Sequence, residues 1–389
     1  MRQEEKVVKI EKIVPNGYGL AFTDGLTVFV SLAVKGDTLR VRVREKKGKV
    51  AFAEIIEIIE PSPDRIEPPC QYFGTCGGCD FQQMNYQAQL QSKVEIIRDC
   101  LKRIGKIDFP GEIPIVGSPK EFNYRSRAQW HADTRKQNLG YFKRYSHNVI
   151  DVEKCPILDE KLQETLTDLR QNLSWGEFWA ESVEIETATN GEKVSVYSAE
   201  IIEPTEKISF EALGNRYFYN AESFFQGNLG LIEPLIKTAI EGAKGNFALD
   251  LFCGVGLFSL PLARQFGKVI GVESNEKAID FAKENAENAR LENIEFYAEE
   301  TTAWLTENNP QNIDFVLLDP PRSGAEKETI EAILKLKPTQ ISYVSCDPAT
   351  LARDLRILCE FYQIESITAF DLFCQTSHVE TVVKLQLSN

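Results

Sequence analysis

No stretch of this 389-residue chain approaches the roughly 20 consecutive apolar residues that a bilayer-spanning helix requires. The opening residues MRQEEKVVKI hold no apolar core of the kind that directs export, so the expectation is a cytoplasmic protein with no membrane partner. Positive charge is scarce too: 44 Lys and Arg stand against 58 Asp and Glu, a net charge of −14. So acidic a chain excludes bulk, nonspecific attraction to nucleic acid, and any RNA contact must come from locally concentrated basic residues. Without an export signal, the nine cysteines are not expected to build a disulfide framework, which leaves metal binding or covalent chemistry for some of them. Internal repeats and low-complexity tracts are absent as well.

What is present divides into segments 1–62, 63–215 and 216–389. In the first, β-rich runs alternate with the turn signals Asn-Gly, Asp-Gly and Lys-Gly-Asp. Alternation in TLRVRVRE sends Leu39, Val41 and Val43 to one face and Arg40, Arg42 and Arg44 to the other. About five strands in so short a span predict a small closed barrel of the OB type, a frequent oligonucleotide binder. A merely solvated arginine face is the competing reading. PSPDRIEPP, with four prolines, then reads as a linker.

The second segment carries a cysteine cluster and a helical pattern over 82–104, with Leu90, Val94, Ile97 and Leu101 on one stripe. Basic and aromatic residues interleave in FNYRSRAQWHADTRKQNLGYFKRY, which suits phosphate contacts and base stacking and nominates Arg125 and Arg127. An exposed hairpin is the alternative. The third segment alternates strands and helices, with strands expected at 246–251, 268–272, 293–297, 313–318 and 340–345, then near 363–370 and 379–386. This is the pattern of a doubly wound α/β sheet.

Within CQYFGTCGGC, Cys70, Cys76 and Cys79 are interleaved with glycines that let the backbone wrap closely round a bound group. Cys155, followed by proline in EKCPIL, is the best fourth ligand. Four sulfurs suit zinc or an iron–sulfur cluster. A triplet plus one, rather than two close pairs, favours a 4Fe–4S cluster.

ALDLFCGVGLFSLPLA is a strand ending in Asp250, a glycine loop and a helix. Gly254 and Gly256 let a ligand lie close to the backbone, and Glu273, at the end of the next strand, can accept hydrogen bonds from ribose hydroxyls. The third glycine of a pyrophosphate-binding loop is missing, since the run is Gly-Val-Gly-Leu-Phe-Ser, and a cofactor without phosphates such as S-adenosylmethionine fits better. Parallel strands deliver their C-terminal ends to one crevice, which gathers Asp250, Glu273, the Glu299–Glu300 pair, Asp319 and Cys346. A final antiparallel strand begins there and adds Glu380. Cys346 precedes Asp347 and Pro348, a capping pair that opens a helix. That helix terminus should lower the thiol pKa while the Asp347 carboxylate raises it. Cys346 is therefore the expected nucleophile rather than one more buried core thiol.

Together CQYFGTCGGCDFQQM, FFQGN, DLFCGVGLFSL, DPPRSG, SCDPATLARDL and HVET resemble the S-adenosylmethionine-dependent RNA (uracil-5-)methyltransferases, in the family's order over almost the whole chain. Within that family the likeness is to the iron–sulfur 23S rRNA type with an N-terminal TRAM domain. The resemblance implies a Rossmann-like class I methyltransferase domain with a mixed seven-stranded sheet, a TRAM β-barrel of OB type, and a central iron–sulfur α+β domain. It implies Cys346 as covalent nucleophile at uracil carbon 6 and Glu380 as the base that removes the carbon 5 proton. Gln226, Phe252, Glu273 and Asp319 fall on family positions that hold S-adenosylmethionine; Gly254 and Glu300 join them from the crevice reading. Cys70, Cys76, Cys79 and Cys155 would carry the 4Fe–4S cluster. Phe224 or Phe225, next to Gln226, is expected to stack on the base, with core packing the alternative for either.

Two positions depart from the family: Leu257, where a polar cofactor contact is frequent, and Asp347, where Asn is common. The implied substrate is RNA, ribosomal more than transfer RNA, with a monomer expected and no obligate protein partner. An iron–sulfur nicotinamide oxidoreductase and an RNA-binding protein with an inert catalytic domain are the readings from other classes.

Overall fold

The computed structural model describes residues 4–200 and 205–388. Its N-terminal part is one six-stranded sheet, where about five strands were expected. The spatial order is Glu5–Lys9, Thr38–Lys47, Val50–Glu60, Leu26–Val30, Tyr18–Thr23 and Lys12–Val14. Leu39 and Val41 turn inward and are buried, as the alternation requires. The opposite arginines are answered by the sheet's own carboxylates. Arg40 Nε donates to Glu57 at 2.8 Å, Arg42 reaches Glu54 at 3.5 Å, and Arg44 pairs with Glu54 as well. The proline-rich stretch is no free tether. Its Arg65 pairs with the buried Asp37 at 2.6 Å and donates to the Leu32 carbonyl.

The middle of the chain forms a five-stranded antiparallel sheet, in the order Val149–Asp151, Asn138–Phe142, Arg127–Asp133, Ser182–Thr189 and Val194–Tyr197. Before it runs the helix Tyr86–Cys100, opened by the Asn85 side chain, which accepts from the Ala88 N–H. Leu90, Ile97 and Leu101 of the expected stripe are buried, with Val94 packed against the same core. The hairpin Ile208–Ala212/Asn215–Tyr219 spans the expected 215/216 boundary, which falls inside its second strand.

The third part carries the sheet that positions the site. Eight strands lie in the order Ile294–Ala298, Lys268–Glu273, Phe247–Leu251, Phe315–Leu318, Gln340–Ser345, Glu380–Leu387, Tyr362–Phe370 and Ile115–Val116. The expected seven are there, and the eighth is a correction: two residues lent by the middle segment, parallel to Tyr362–Phe370. Two residues are too few to register as a periodic strand. The first five strands are parallel and Glu380–Leu387 runs against its neighbours. Central strands such as Phe315–Leu318 are buried on every residue, because helices cover both faces. Removing one such side chain, as in Leu251→Ala, costs about 2–5 kcal/mol.

Candidate active site

The carboxyl-terminal ends of the parallel strands open on a cavity of about 690 Å³. The turn after Phe247–Leu251 forms its floor. Phe252 there has a φ of 62°, a left-handed conformation that costs a bulky residue on the order of 1–3 kcal/mol and clusters at functional sites. Gly254 also has positive φ, at 53°, and a Cβ on it would project into open space. At Gly256 a Cβ would come within 2.9 Å of Leu260, so this glycine lets the loop pack on its own helix. Ser259 occupies the place of the missing third glycine, and its hydroxyl donates to the buried Asp250. Burial pushes the Asp250 carboxyl up to about 7, and its other oxygen has no partner.

Glu273 fastens two loops to one another. Its carboxylate accepts from Gly254 N–H at 3.3 Å and from Asn275 N–H at 2.9 Å. Asp319, where the fourth parallel strand runs out, is pushed up to about 8 by burial first and by the Asp250 and Glu273 charges next. Cys346 stands between the end of Gln340–Ser345 and the helix Pro348–Leu358. Asp347 turns into its own cap and accepts from the N–H groups of Ala349 and Thr350 at 2.9 and 2.8 Å. The thiol is nonetheless pushed up to about 12, by burial first, then by the Glu380 and Asp319 carboxylates, with Arg322 opposing. Helix-terminus stabilisation of a thiolate is outweighed.

Glu380 opens the antiparallel strand and is buried, with one carboxylate oxygen unpartnered. Burial, then Asp319, holds its carboxyl well above the usual range, and Arg322 opposes that shift. Cys346, Glu380, Gln226, Phe252, Gly254, Glu273 and Asp319 all line the one cavity, as do Arg125, Arg127 and Phe224. Glu300 does not. Its carboxylate accepts from Ala303 N–H at 2.8 Å and caps the helix Thr301–Asn308. Leu257 is buried in the core, away from the cavity wall.

Arg127 is spent on its own chain. It donates to the carbonyls of Ala221 and Ser223, pairs with Glu186 at 3.1 Å, and lies 5.9 Å over the Phe224 ring. The two phenylalanines separate cleanly. Phe225 is buried and stacks on Tyr219, whereas Phe224 is 60% exposed at the cavity mouth. Arg322, at the end of the Asp319-Pro-Pro-Arg loop expected to face the uracil, lines the cavity, and its charge opposes the raised Cys346 and Glu380.

The family profile described as tRNA (Uracil-5-)-methyltransferase matches residues 155–388. An RNA methyltransferase of Aquifex aeolicus, named as uncharacterized, is 32% identical over 100% of both chains. The 23S rRNA (uracil(1939)-C(5))-methyltransferase RlmD of Shewanella halifaxensis is 30% identical over 98% of this chain and 96% of its own. Among solved structures, the Pyrococcus abyssi tRNA (uracil-54, C5)-methyltransferase, in complex with S-adenosyl-L-homocysteine, superposes with a TM-score of 0.75. It shares 27% identity, over 97% of this chain and 100% of its own. The chain belongs to the S-adenosylmethionine-dependent RNA (uracil-5-)methyltransferase family. Its activity is methylation of uracil carbon 5 in RNA, and the nicotinamide oxidoreductase and inert-domain readings fall away.

A second cavity of this methyltransferase, about 170 Å³, is lined by Cys70, Cys76, Cys79 and Cys155. Burial raises the Cys76 and Cys79 thiols and pushes Cys155 up to about 11. The four cysteines do not converge as a ready single-ion site: among the described residues, no group of three or more His, Cys, Asp or Glu side chains could hold a metal ion. Arg125 and Gln129 line both cavities and form the wall between them. Among the described residues no helix is long and apolar enough to cross a membrane.

Proposed function

We propose that the larger cavity methylates carbon 5 of one uridine in RNA, ribosomal RNA in preference to transfer RNA, through a covalent bond from Cys346 to uracil carbon 6. The observation that carries this is the meeting of Cys346 and Glu380, distant in the chain, on the wall of one cavity with Glu273 and Asp319. Its volume is in the range of small-ligand sites, which suits a base turned out of its stack. The open space at Gly254, the acidic wall and the unpartnered Glu380 oxygen fit a cationic nucleoside cofactor. Gln226, Phe252, Gly254, Glu273 and Asp319 would hold it. When bound, S-adenosylmethionine supplies a methyl group on a positively charged sulfur.

Uracil carbon 5 is a weak nucleophile until the ring is activated. As the Cys346 sulfur bonds to carbon 6, the C5=C6 electron pair passes into an enolate and carbon 5 becomes electron-rich. Carbon 5 uses the enolate pair to take the methyl group, whose bond to the cofactor sulfur breaks and leaves a neutral thioether. The Glu380 carboxylate then takes the carbon 5 proton. The C–H electron pair restores C5=C6, the S–C6 bond breaks, and the thiolate leaves. Arg322 is the cation placed to favour the charged forms of both Cys346 and Glu380. No electron is gained or lost in this sequence.

The smaller cavity is proposed as a 4Fe–4S site with a structural or RNA-positioning role. What supports this reading is that Cys70, Cys76, Cys79 and Cys155, a triplet plus one, line one cavity. Residues 1–62 are proposed as the TRAM domain of OB type, 63–215 as the central domain and 216–389 as the methyltransferase domain, with a monomer as the working state. The preference for ribosomal RNA rests on RlmD, the relative named for 23S rRNA. Incubation of unmodified ribosomal and transfer RNA with methyl-labelled S-adenosylmethionine tests the reading. Label is expected as 5-methyluridine in ribosomal RNA; label in transfer RNA alone overturns the substrate, and label on no uracil overturns the reaction.

A further inference from the structure

The segment 371–379, which delivers Glu380 to the cavity, is held from outside the catalytic sheet at five of its nine residues. Lys93, from the helix Tyr86–Cys100, is fully buried; it pairs with the equally buried Asp371 and donates to the Phe373 carbonyl at 3.0 Å. Tyr124 donates its hydroxyl to the Cys374 carbonyl at 3.0 Å. Gln375 is the centre of the grip. Its φ is 67°, a left-handed conformation that an L side chain rarely adopts. Its N–H donates to Gln89 Oε1, its side-chain oxygen accepts from Gln89 Nε2, and its carbonyl accepts from the N–H groups of Asp80 and Phe81. Backbone strain persists only where the surroundings over-determine it.

Asp80 makes the second half of that grip, and it immediately follows Cys79. One of its carboxylate oxygens accepts from Ser377 N–H at 2.7 Å and the other from Ser377 Oγ at 2.9 Å. Gly17 of the N-terminal part leaves the room: a Cβ there would fall 2.4 Å from Asp80 Oδ2. Asp80, beside a cysteine of the smaller cavity, is thus bonded through its backbone to the residue five positions before Glu380 and through its side chain to the residue three before it.

We propose that Asp80 is a positioning residue through which the four-cysteine loop fixes the segment 371–379 and, with it, the Glu380 carboxylate. The inference rests on the reading of Glu380 as the base. Its consequence is selective: Cys346 reaches the cavity on a different strand, so loosening the segment spares bond formation at carbon 6 and slows removal of the carbon 5 proton. Methylated RNA then stays attached to Cys346.

The test compares full-length Asp80→Ala, Asp80→Asn, Ser377→Ala and Glu380→Gln proteins on unmodified RNA with S-adenosylmethionine. It reads turnover, KM for the cofactor, SDS-stable protein–RNA adduct, and hydrogen exchange over 374–378. Asp80→Ala is expected to lower turnover about tenfold or more with unchanged KM, to build up adduct as Glu380→Gln does, and to speed exchange in the segment. Ser377→Ala, which removes one donor without touching the cysteine loop, should do the same to a smaller degree. Asn at position 80 keeps an acceptor for Ser377 N–H and a donor for its hydroxyl, and should restore turnover. Adduct in Glu380→Gln but in neither Asp80→Ala nor Ser377→Ala overturns the proposal and leaves the base in place. No adduct in Glu380→Gln removes the base and the proposal with it.

Discussion

The two cavities share a wall at Arg125 and Gln129 and are built to opposite plans. The larger gathers Glu273, Asp319 and Glu380 from separate strands; burial and then neighbouring carboxylates raise Asp319 and Glu380, and burial and then those two acids raise the Cys346 thiol. The smaller holds four cysteines among Tyr72, Phe73 and Tyr141, and burial raises the Cys76, Cys79 and Cys155 thiols with no carboxylate among the causes. Like charges forced together store an electrostatic demand that a cationic ligand answers. A metal that binds gathered thiols takes the place of their protons. The difference teaches that one crevice sets a single thiol among acids while the other gathers thiols, and the roles proposed for them, turnover and cluster binding, follow that division.

The sharpest way to break the comparison is at the thiols themselves. Cys346→Ala should lower methyl incorporation about a thousandfold or more, since a covalent nucleophile has no substitute. Retained incorporation would place the chemistry elsewhere. Glu380→Gln comes next: turnover should fall about a hundredfold or more while a protein–RNA adduct accumulates, which gel mobility in SDS reads directly. Fast turnover by that variant would remove the base.

In the smaller cavity, Cys155→Ser should abolish the brown colour and about four iron per chain expected of anaerobically purified protein, and should lower the melting temperature. Its single-turnover methyl transfer should suffer less than that of Cys346→Ala. Stoichiometric zinc without iron in the parent protein would overturn the cluster.

A smaller effect tests the acidic wall. The folded chain holds the Asp319 proton with a pKa of about 8, against roughly 3.9 unfolded. Folding therefore binds that proton more tightly. The stabilisation is complete below the unfolded value and is lost as pH rises through about 8. Asp319→Asn should melt a few degrees above the parent at pH 8.5 and level with it at pH 4, by differential scanning fluorimetry. Equal differences at both pH values would contradict the charge argument. The smallest effect is expected far from both cavities: Arg40→Ala should change RNA affinity by less than about twofold, because Glu57 already neutralises that side chain.

Much of this was legible in the chain. The strands near 246–386 read true because long apolar runs bounded by helices leave little choice of register, and the crevice rule brought Glu273, Asp319, Cys346 and Glu380 to one cavity, whereas Asp250 is fully buried against Ser259 and does not line it. The same rule misplaced Glu300. It locates a backbone at the rim and says nothing of where the side chain turns, and this one turns to its own helix. Arg127 misled for a related reason, since interleaved basic and aromatic residues look alike whether they face phosphate or neighbouring carbonyls. The Cys346 thiol went the other way from its helix because burial raises it first, and then Glu380 and Asp319 from elsewhere in the chain, and local sequence carries no sign of either. Ile115–Val116 was too short to see.

The most direct test of the central claim is peptide mass spectrometry on the protein incubated with 5-fluorouridine-containing RNA and S-adenosylmethionine. Fluorine at carbon 5 cannot leave as a proton, so the adduct is trapped after methyl transfer. The account places the methylated fluorouracil on Cys346 and on no other cysteine. An adduct on a different residue, or one that survives in Cys346→Ala, contradicts it.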